Sequence, residues 1–143
     1  MNNNYALITG GTAGIGLDIA KELAKQGHNI LLTARREERL KEISASLKKE
    51  FNVDCNYIAA DLAQVSAPEI IYNFCSENDY IVEILVNNAG YSINKKFHET
   101  GEDEEEKFLR VLGIAVVALT KKFIPSMLEH KYGKIMMVSS LAS

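Results

Sequence analysis

One stretch near the start, Tyr5-Ala6-Leu7-Ile8-Thr9-Gly10-Gly11-Thr12-Ala13-Gly14-Ile15-Gly16, constrains the fold more than any other. Tyr5 to Ile8 is a short apolar run, the pattern of a strand buried on both faces. It passes into glycines at 10, 14 and 16. An amphipathic helix follows at once, with Ile15, Ile19 and Leu23 on one stripe and Ala20 and Ala24 alongside. Strand, glycine turn and helix N-terminus together suit a diphosphate. Glycines let the backbone turn sharply and approach the ligand, and the free N–H groups at the positive helix end face its charge. A loop that needs only positive φ would carry the same glycines, so the rest of the chain must decide.

The remaining pattern alternates strand and helix. The first helix is expected to stop near Gln26 at Gly27, and strands are expected at Asn29 to Thr33, Cys55 to Ala60, Ile81 to Val86 and Lys134 to Val138. A second helix from about Arg36 to Phe51 places Leu40, Ile43, Leu47 and Phe51 on one face. Ser66-Ala67-Pro68-Glu69 reads as a capping box opening a third helix, which turns Ile70, Ile71 and Phe74 inward. Thr100 is expected to cap a long helix running to about His130, with Pro125 kinking it or marking its last ordered turn. Its near-continuous apolar centre, Val111 to Leu119, predicts burial on more than one side. The acids Glu102 to Glu106 form a solvated helix start, favoured by the macrodipole, rather than a metal site.

Such alternation predicts an α/β fold: a doubly wound parallel sheet of order 3-2-1-4-5 between two layers of helices. Its ligand crevice lies at the C-terminal ends of strands one and four. The glycine turn, Arg35, Asp61, Asn87-Asn88-Ala89-Gly90 and Ser140 all fall at such ends.

Composition narrows the function classes. At 143 residues the chain has the length of one domain, and 47% hydrophobic with 24% charged residues is an ordinary globular balance. A net charge of -3 gives no reason to expect nucleic acid as a partner. Cys55 and Cys75 lack metal-ligand spacing and read as buried thiols. The start, Met1-Asn2-Asn3-Asn4, is not a secretory signal, and Val111 to Leu119 is too short for a membrane span, so a cytoplasmic protein is expected.

Together, Thr9 to Gly16, Asp61-Leu62, Asn87 to Gly90 and Gly133 to Ala142 resemble the short-chain dehydrogenase/reductase family, in order and over essentially the whole chain. The resemblance implies a Rossmann-like NAD(P)-binding domain over residues 1–143. It implies that Gly10, Gly11, Thr12, Gly14, Ile15 and Gly16 line the cofactor's pyrophosphate, that Asp61 and Leu62 border adenine, and that Asn88 and Gly90 lie along the adenosine side. Asn87 either joins them or pins neighbouring strands. At the end of strand two a carboxylate would favour NAD; this chain has Ala34, Arg35 and Arg36 there, and an arginine fork suits the 2′-phosphate of NADP. Ala13 stands where many NADP-preferring relatives carry a basic residue, and Arg36 also reads as a surface charge at a helix start.

The family's reaction is hydride transfer between nicotinamide and a carbonyl or alcohol carbon. Ser140 matches the serine that holds the substrate oxygen, with Ser139 its structural neighbour. The resemblance implies a Tyr-x-x-x-Lys pair about a dozen residues after Ser140, beyond the last residue of this sequence. Tyr91 to Lys95 has that spacing in the wrong element and reads as chance. Leu112 stands where the family places an asparagine that holds a relay water, a role leucine cannot fill. The expectations are therefore an NADP-dependent oxidoreductase acting on a small carbonyl or alcohol, seen here as its cofactor-binding part, or an NAD(P)-binding module without turnover. A piece with no activity of its own is the third alternative. An exposed fifth-strand edge and a homodimer or homotetramer through the long helix are also expected.

Overall fold

The computed structural model describes residues 3–140. Five parallel strands, β1 (Asn4–Thr9), β2 (Asn29–Ala34), β3 (Cys55–Ala59), β4 (Ile81–Asn87) and β5 (Lys134–Met137), form one sheet of order β3-β2-β1-β4-β5. Helices α1 (Gly14–Lys25), α2 (Glu37–Phe51) and α3 (Ala67–Glu77) connect the first four strands. A long passage of α4 (Glu102–Leu109), a π-helical turn (Arg110–Ile114) and α5 (Ala115–Glu129) leads to the fifth. This is the doubly wound α/β order that the alternation predicts. The direction in which successive strands are added reverses at the β1–β4 boundary, so right-handed crossovers put helices on both faces.

Two cores result. Ala6, Ile8, Ile30, Leu32 and Val86 are buried with Ala20, Ala24, Leu40, Ile43 and Leu47. Tyr5, Leu7, Leu31 and Leu85 are buried with Ile71, Val111, Ala115, Leu119, Phe123 and Met127. Successive β1 side chains go to opposite cores, which is why the strand's apolar run is unbroken.

Several helix faces differ from expectation. α1 lays Gly16, Ala20 and Ala24 on the sheet, while Ile15 is 62% exposed. Small side chains let the helix backbone come close, and the larger stripe lies beside that contact instead of in it. Ser66 takes a helical conformation and makes no capping bond, so the capping box does not form, and Ile70 is exposed. Gly101, not Thr100, is the N-cap of α4; the Thr100 hydroxyl lies 2.5 Å from Glu105 Oε1 and 2.7 Å from Phe97 O. Pro125 sits inside α5, which continues to Glu129.

The long helix buries one stripe, Val111, Ala115, Leu119, Phe123 and Met127, instead of several sides. Leu109, Leu112, Ile114 and Val117 are exposed. Taken as one run, Glu102–Glu129 holds a window of mean hydropathy 1.7, long and apolar enough to cross a membrane by length and composition. The buried stripe packs it on the sheet as a core helix. All four β5 residues are exposed, and β5 pairs with β4.

At the N-terminal end of the sheet, away from the strand ends that hold the motifs, Asp54 gathers three side-chain donors and the Cys55 N–H. The Tyr5 hydroxyl lies 2.5 Å from Asp54 Oδ2, Asn56 Nδ2 donates to the same oxygen at 3.0 Å, and Lys48 Nζ reaches Oδ1 at 2.7 Å. Burial pulls the Asp54 pKa upward, but the hydrogen bonds from Lys48 and Tyr5 and the Lys48 charge outweigh it and leave it below its ordinary value. A depressed carboxylate pKa contributes stability above the unfolded-state value, and the contribution is lost as pH falls through the folded one. Asp54→Asn is therefore expected to lower the urea midpoint at pH 7 and to have progressively less effect below about pH 4. Urea melts of both proteins across that range check it. Cys55 and Cys75 are buried free thiols, pushed by burial up to about 11 and about 12.

Candidate functional site

β1 runs straight into the glycine turn. Gly10 and Gly14 have φ of +67° and +51°, a region that side chains beyond glycine rarely adopt. The glycines differ in what surrounds them. A Cβ on Gly16 would lie 2.3 Å from Asn88 Nδ2 and 2.5 Å from Gly10 O, and one on Gly10 would lie 2.9 Å from Ala89 Cα. Over Gly14 there is open space. Gly10 and Gly16 therefore serve close internal packing, and Gly14 leaves room for a ligand.

A polar clasp ties the turn to the end of β4. Thr9 Oγ1 accepts the N–H groups of Asn88 at 2.9 Å and Ala89 at 3.0 Å and donates to Val86 O at 3.3 Å. Asn88 Nδ2 donates to Thr9 O at 3.0 Å and to Gly10 O at 3.2 Å. Asn88 thus holds the turn's shape with its amide nitrogen. Asn87 is buried and donates to Thr120 Oγ1 at 3.3 Å and Met137 Sδ at 3.4 Å, which joins β4 to α5 and β5. Among the described residues its Oδ1 has no partner.

The N-cap of α1 is Ala13, which makes no side-chain capping bond. Helix geometry leaves the N–H groups of Gly14, Ile15 and Gly16 without partners inside the helix. An alanine cap is among the least favourable. Uncapped donors at a positive helix end, facing a turn with open space over Gly14, fit an anionic diphosphate.

The crevice above has a volume of about 840 Å³ and brings together Gly10, Thr12, Gly14, Ile15, Arg35, Asp61, Leu62, Asn88 and Gly90. Gly11 and Gly16 lie beneath it, and a Cβ on Gly11 would meet Leu32 Cδ2 at 2.7 Å. Arg35 and Arg36 are exposed at its rim, with Arg36 the N-cap of α2. Asp61 Oδ1 accepts the Ala63 N–H at 3.0 Å, which fixes the carboxylate at the end of β3. Ser140 is exposed, beyond the end of β5, and outside the crevice lining. Leu141 and Ala142, which complete its motif, lie outside the described residues.

Tyr91 and Lys95 have separate surroundings. Tyr91 lines the crevice and packs edge-on against Phe108 at 5.4 Å, while Lys95 pairs with Glu104 at 2.9 Å. Leu112 occupies the middle of the π-helical turn and packs over Gly90, where an added Cβ would meet Leu112 Cδ2 at 3.0 Å. π-helical turns inside helices are frequent at functional sites. Sequence reasoning missed Tyr91, Lys107 and Val111 as lining residues. Nothing local marks them: Tyr91 follows β4, Lys107 is on α4 and Val111 is in the π-helical turn, and only the tertiary fold brings them to the crevice.

The family model described as short chain dehydrogenase matches residues 4–143. The very-long-chain 3-oxoacyl-CoA reductase of Rattus norvegicus is 34% identical over 140 residues, 95% of this chain and 44% of the relative. The fatty acyl-CoA reductase of Acinetobacter baylyi is 33% identical over 143 residues, 99% of this chain and 48% of the relative. The chain spans about half the length of these curated relatives. L-Sorbose reductase from Gluconobacter frateurii, solved with NADPH and L-sorbose, superposes with a TM-score of 0.91 at 34% identity, over 96% of this chain and 52% of that one.

Proposed function

The chain belongs to the short chain dehydrogenase family, and from that premise we propose that its crevice binds NADP(H) for an oxidoreductase acting on a carbonyl or alcohol. One observation carries this reading: an uncapped helix N-terminus behind a glycine turn shares one crevice with a pair of arginines at the end of β2. The N–H groups of Gly14, Ile15 and Gly16 hold the diphosphate, and Arg35 with Arg36 holds the 2′-phosphate. Asp61 and Leu62 border the adenine, and Asn88 keeps the turn in shape. Ser140 holds the substrate oxygen by a hydrogen bond. When bound, NADPH would supply a hydride to a carbonyl carbon, and NADP+ would accept one from an alcohol carbon.

The names of the two curated relatives make fatty-acyl thioesters the first substrate class to assay, with ketones and aldehydes beside them. A homodimer or homotetramer through α4 and α5 belongs to the same proposal, supported by the exposed Leu112, Ile114 and Val117. The second reading, an NAD(P)-binding module without turnover, is favoured by Leu112, which brings an apolar side chain to Gly90 in place of a polar one.

Titration with NADPH and NADH, followed by fluorescence, tests binding; the expected result is tighter binding of NADPH. Consumption of NADPH with the substrate panel separates enzyme from module. Failure to bind either nucleotide overturns both readings.

The helix cap offers an independent check. Ala13→Ser supplies the missing cap and is expected to stabilise the ligand-free protein by about 1 kcal/mol. The same hydroxyl competes for the N–H groups that the diphosphate needs, so NADPH affinity is expected to fall. Thermal melts with and without NADPH measure both effects.

A further inference from the structure

We infer that Lys107 is a cofactor-binding residue, a third cation that closes the crevice over the adenosine end from the α4 wall. The inference rests on the NADP(H) function proposed above and adds to it a residue that no glycine or strand-end motif contains.

Arg35 and Arg36 line the crevice from the end of β2, whereas Lys107 lines it from α4, after β4 in the chain. Its Nζ lies 2.7 Å from Asp103 Oδ2. The hydrogen bond and charge of Asp103 hold its pKa above the ordinary lysine value, with weaker pulls from Asp61 and Tyr91. Those two residues also line the crevice, so Lys107 shares it with Asp61 and Leu62 at the end of β3.

The Lys107–Asp103 pair is exposed, with 49% and 80% of the two side chains accessible. An exposed pair one helical turn apart contributes little, so exchanging Asp103 for another acceptor is inexpensive. Asp61 is less free to capture the ammonium, because one of its oxygens already accepts the Ala63 N–H. A lysine is a compact charge on a flexible stem, which suits it to moving from a surface carboxylate to a phosphate-bearing adenosine.

The test uses NADPH and adenosine 2′,5′-bisphosphate, the latter carrying only the adenosine end. Lys107→Met is expected to weaken both about fivefold, and by the same factor. Lys107→Arg keeps the cation and is expected to restore most of the affinity. Asp103→Asn frees the ammonium and is expected to tighten both ligands about twofold, but to change nothing when combined with Lys107→Met. A purely structural role for Lys107 would not produce that coupling. If wild type binds both ligands and Lys107→Met binds them as well as wild type, the inference is overturned and the NADP(H) function stands. If wild type binds neither, that function falls and the inference with it.

Discussion

Gly16→Ala is expected to abolish measurable NADPH binding and to destabilise the protein by about 2–3 kcal/mol, near the upper end for overpacking. The added Cβ would sit 2.5 Å from Gly10 O and 2.3 Å from Asn88 Nδ2. The first is a backbone atom, which cannot swing aside as a flexible side chain does. The second belongs to the amide that donates to Thr9 O and Gly10 O. Relief of the clash must therefore move α1 away from the turn or break the clasp, and either displaces the N–H groups proposed to hold the diphosphate. Gly14→Ala is the informative partner. It meets no atom within 4 Å but has φ of +51°, so it carries backbone strain of about 1–2 kcal/mol without disturbing the clasp. Urea melts and NADPH titrations of both variants check the contrast. If Gly16→Ala matched Gly14→Ala in stability and affinity, the clasp would not be what sets the shape of the turn.

Replacing Arg35 and Arg36 together by alanine is expected to weaken NADPH at least about thirtyfold while changing NADH by less than about threefold. The difference follows from what the two cofactors share. Diphosphate, ribose and adenine are common to both, and the proposed contacts to them come from the glycine turn, Asp61 and Leu62. Only the 2′-phosphate distinguishes them, so the preference is set by the groups near it, and cations there favour NADPH. Arg36 is also the N-cap of α2, but it makes no side-chain capping bond there, so alanine is expected to cost the helix little. Parallel titrations at low and moderate salt measure the effect. The NADPH preference should shrink with added salt in the wild type and be nearly absent in the variant. Equal losses for NADPH and NADH would place the arginines away from the 2′-phosphate.

The fold was legible because its signals are local and repeat. A strand buried on both faces must be apolar throughout, as Tyr5 to Ile8 is. A turn that needs positive φ favours glycine, as at Gly10 and Gly14. Alternation of such strands with amphipathic helices leaves few topologies open, and the order β3-β2-β1-β4-β5 is the one observed. Helix details were less legible. Ile15 looks like a core residue by periodicity, yet Gly16, Ala20 and Ala24 take the sheet contact. Thr100 is a better cap by residue type than Gly101, yet its hydroxyl meets Glu105 and Phe97 O. In each case packing or a competing hydrogen bond overrode the local preference.

The chain alone therefore determined the sheet order, the place of the crevice, and the glycines and arginines at its strand ends, because each depends on neighbours in sequence. The tertiary structure decided the rest. It joined the turn to β4 through Thr9 and Asn88, brought Tyr91, Lys107 and Val111 to a crevice begun some ninety residues earlier, and placed Leu112 over Gly90. These contacts depend on how the π-helical turn and α5 seat on the sheet, where Val111, Ala115, Leu119, Phe123 and Met127 pack in one core with Leu7, Leu31, Leu85 and Ile71. No spacing within α4 itself carries that information.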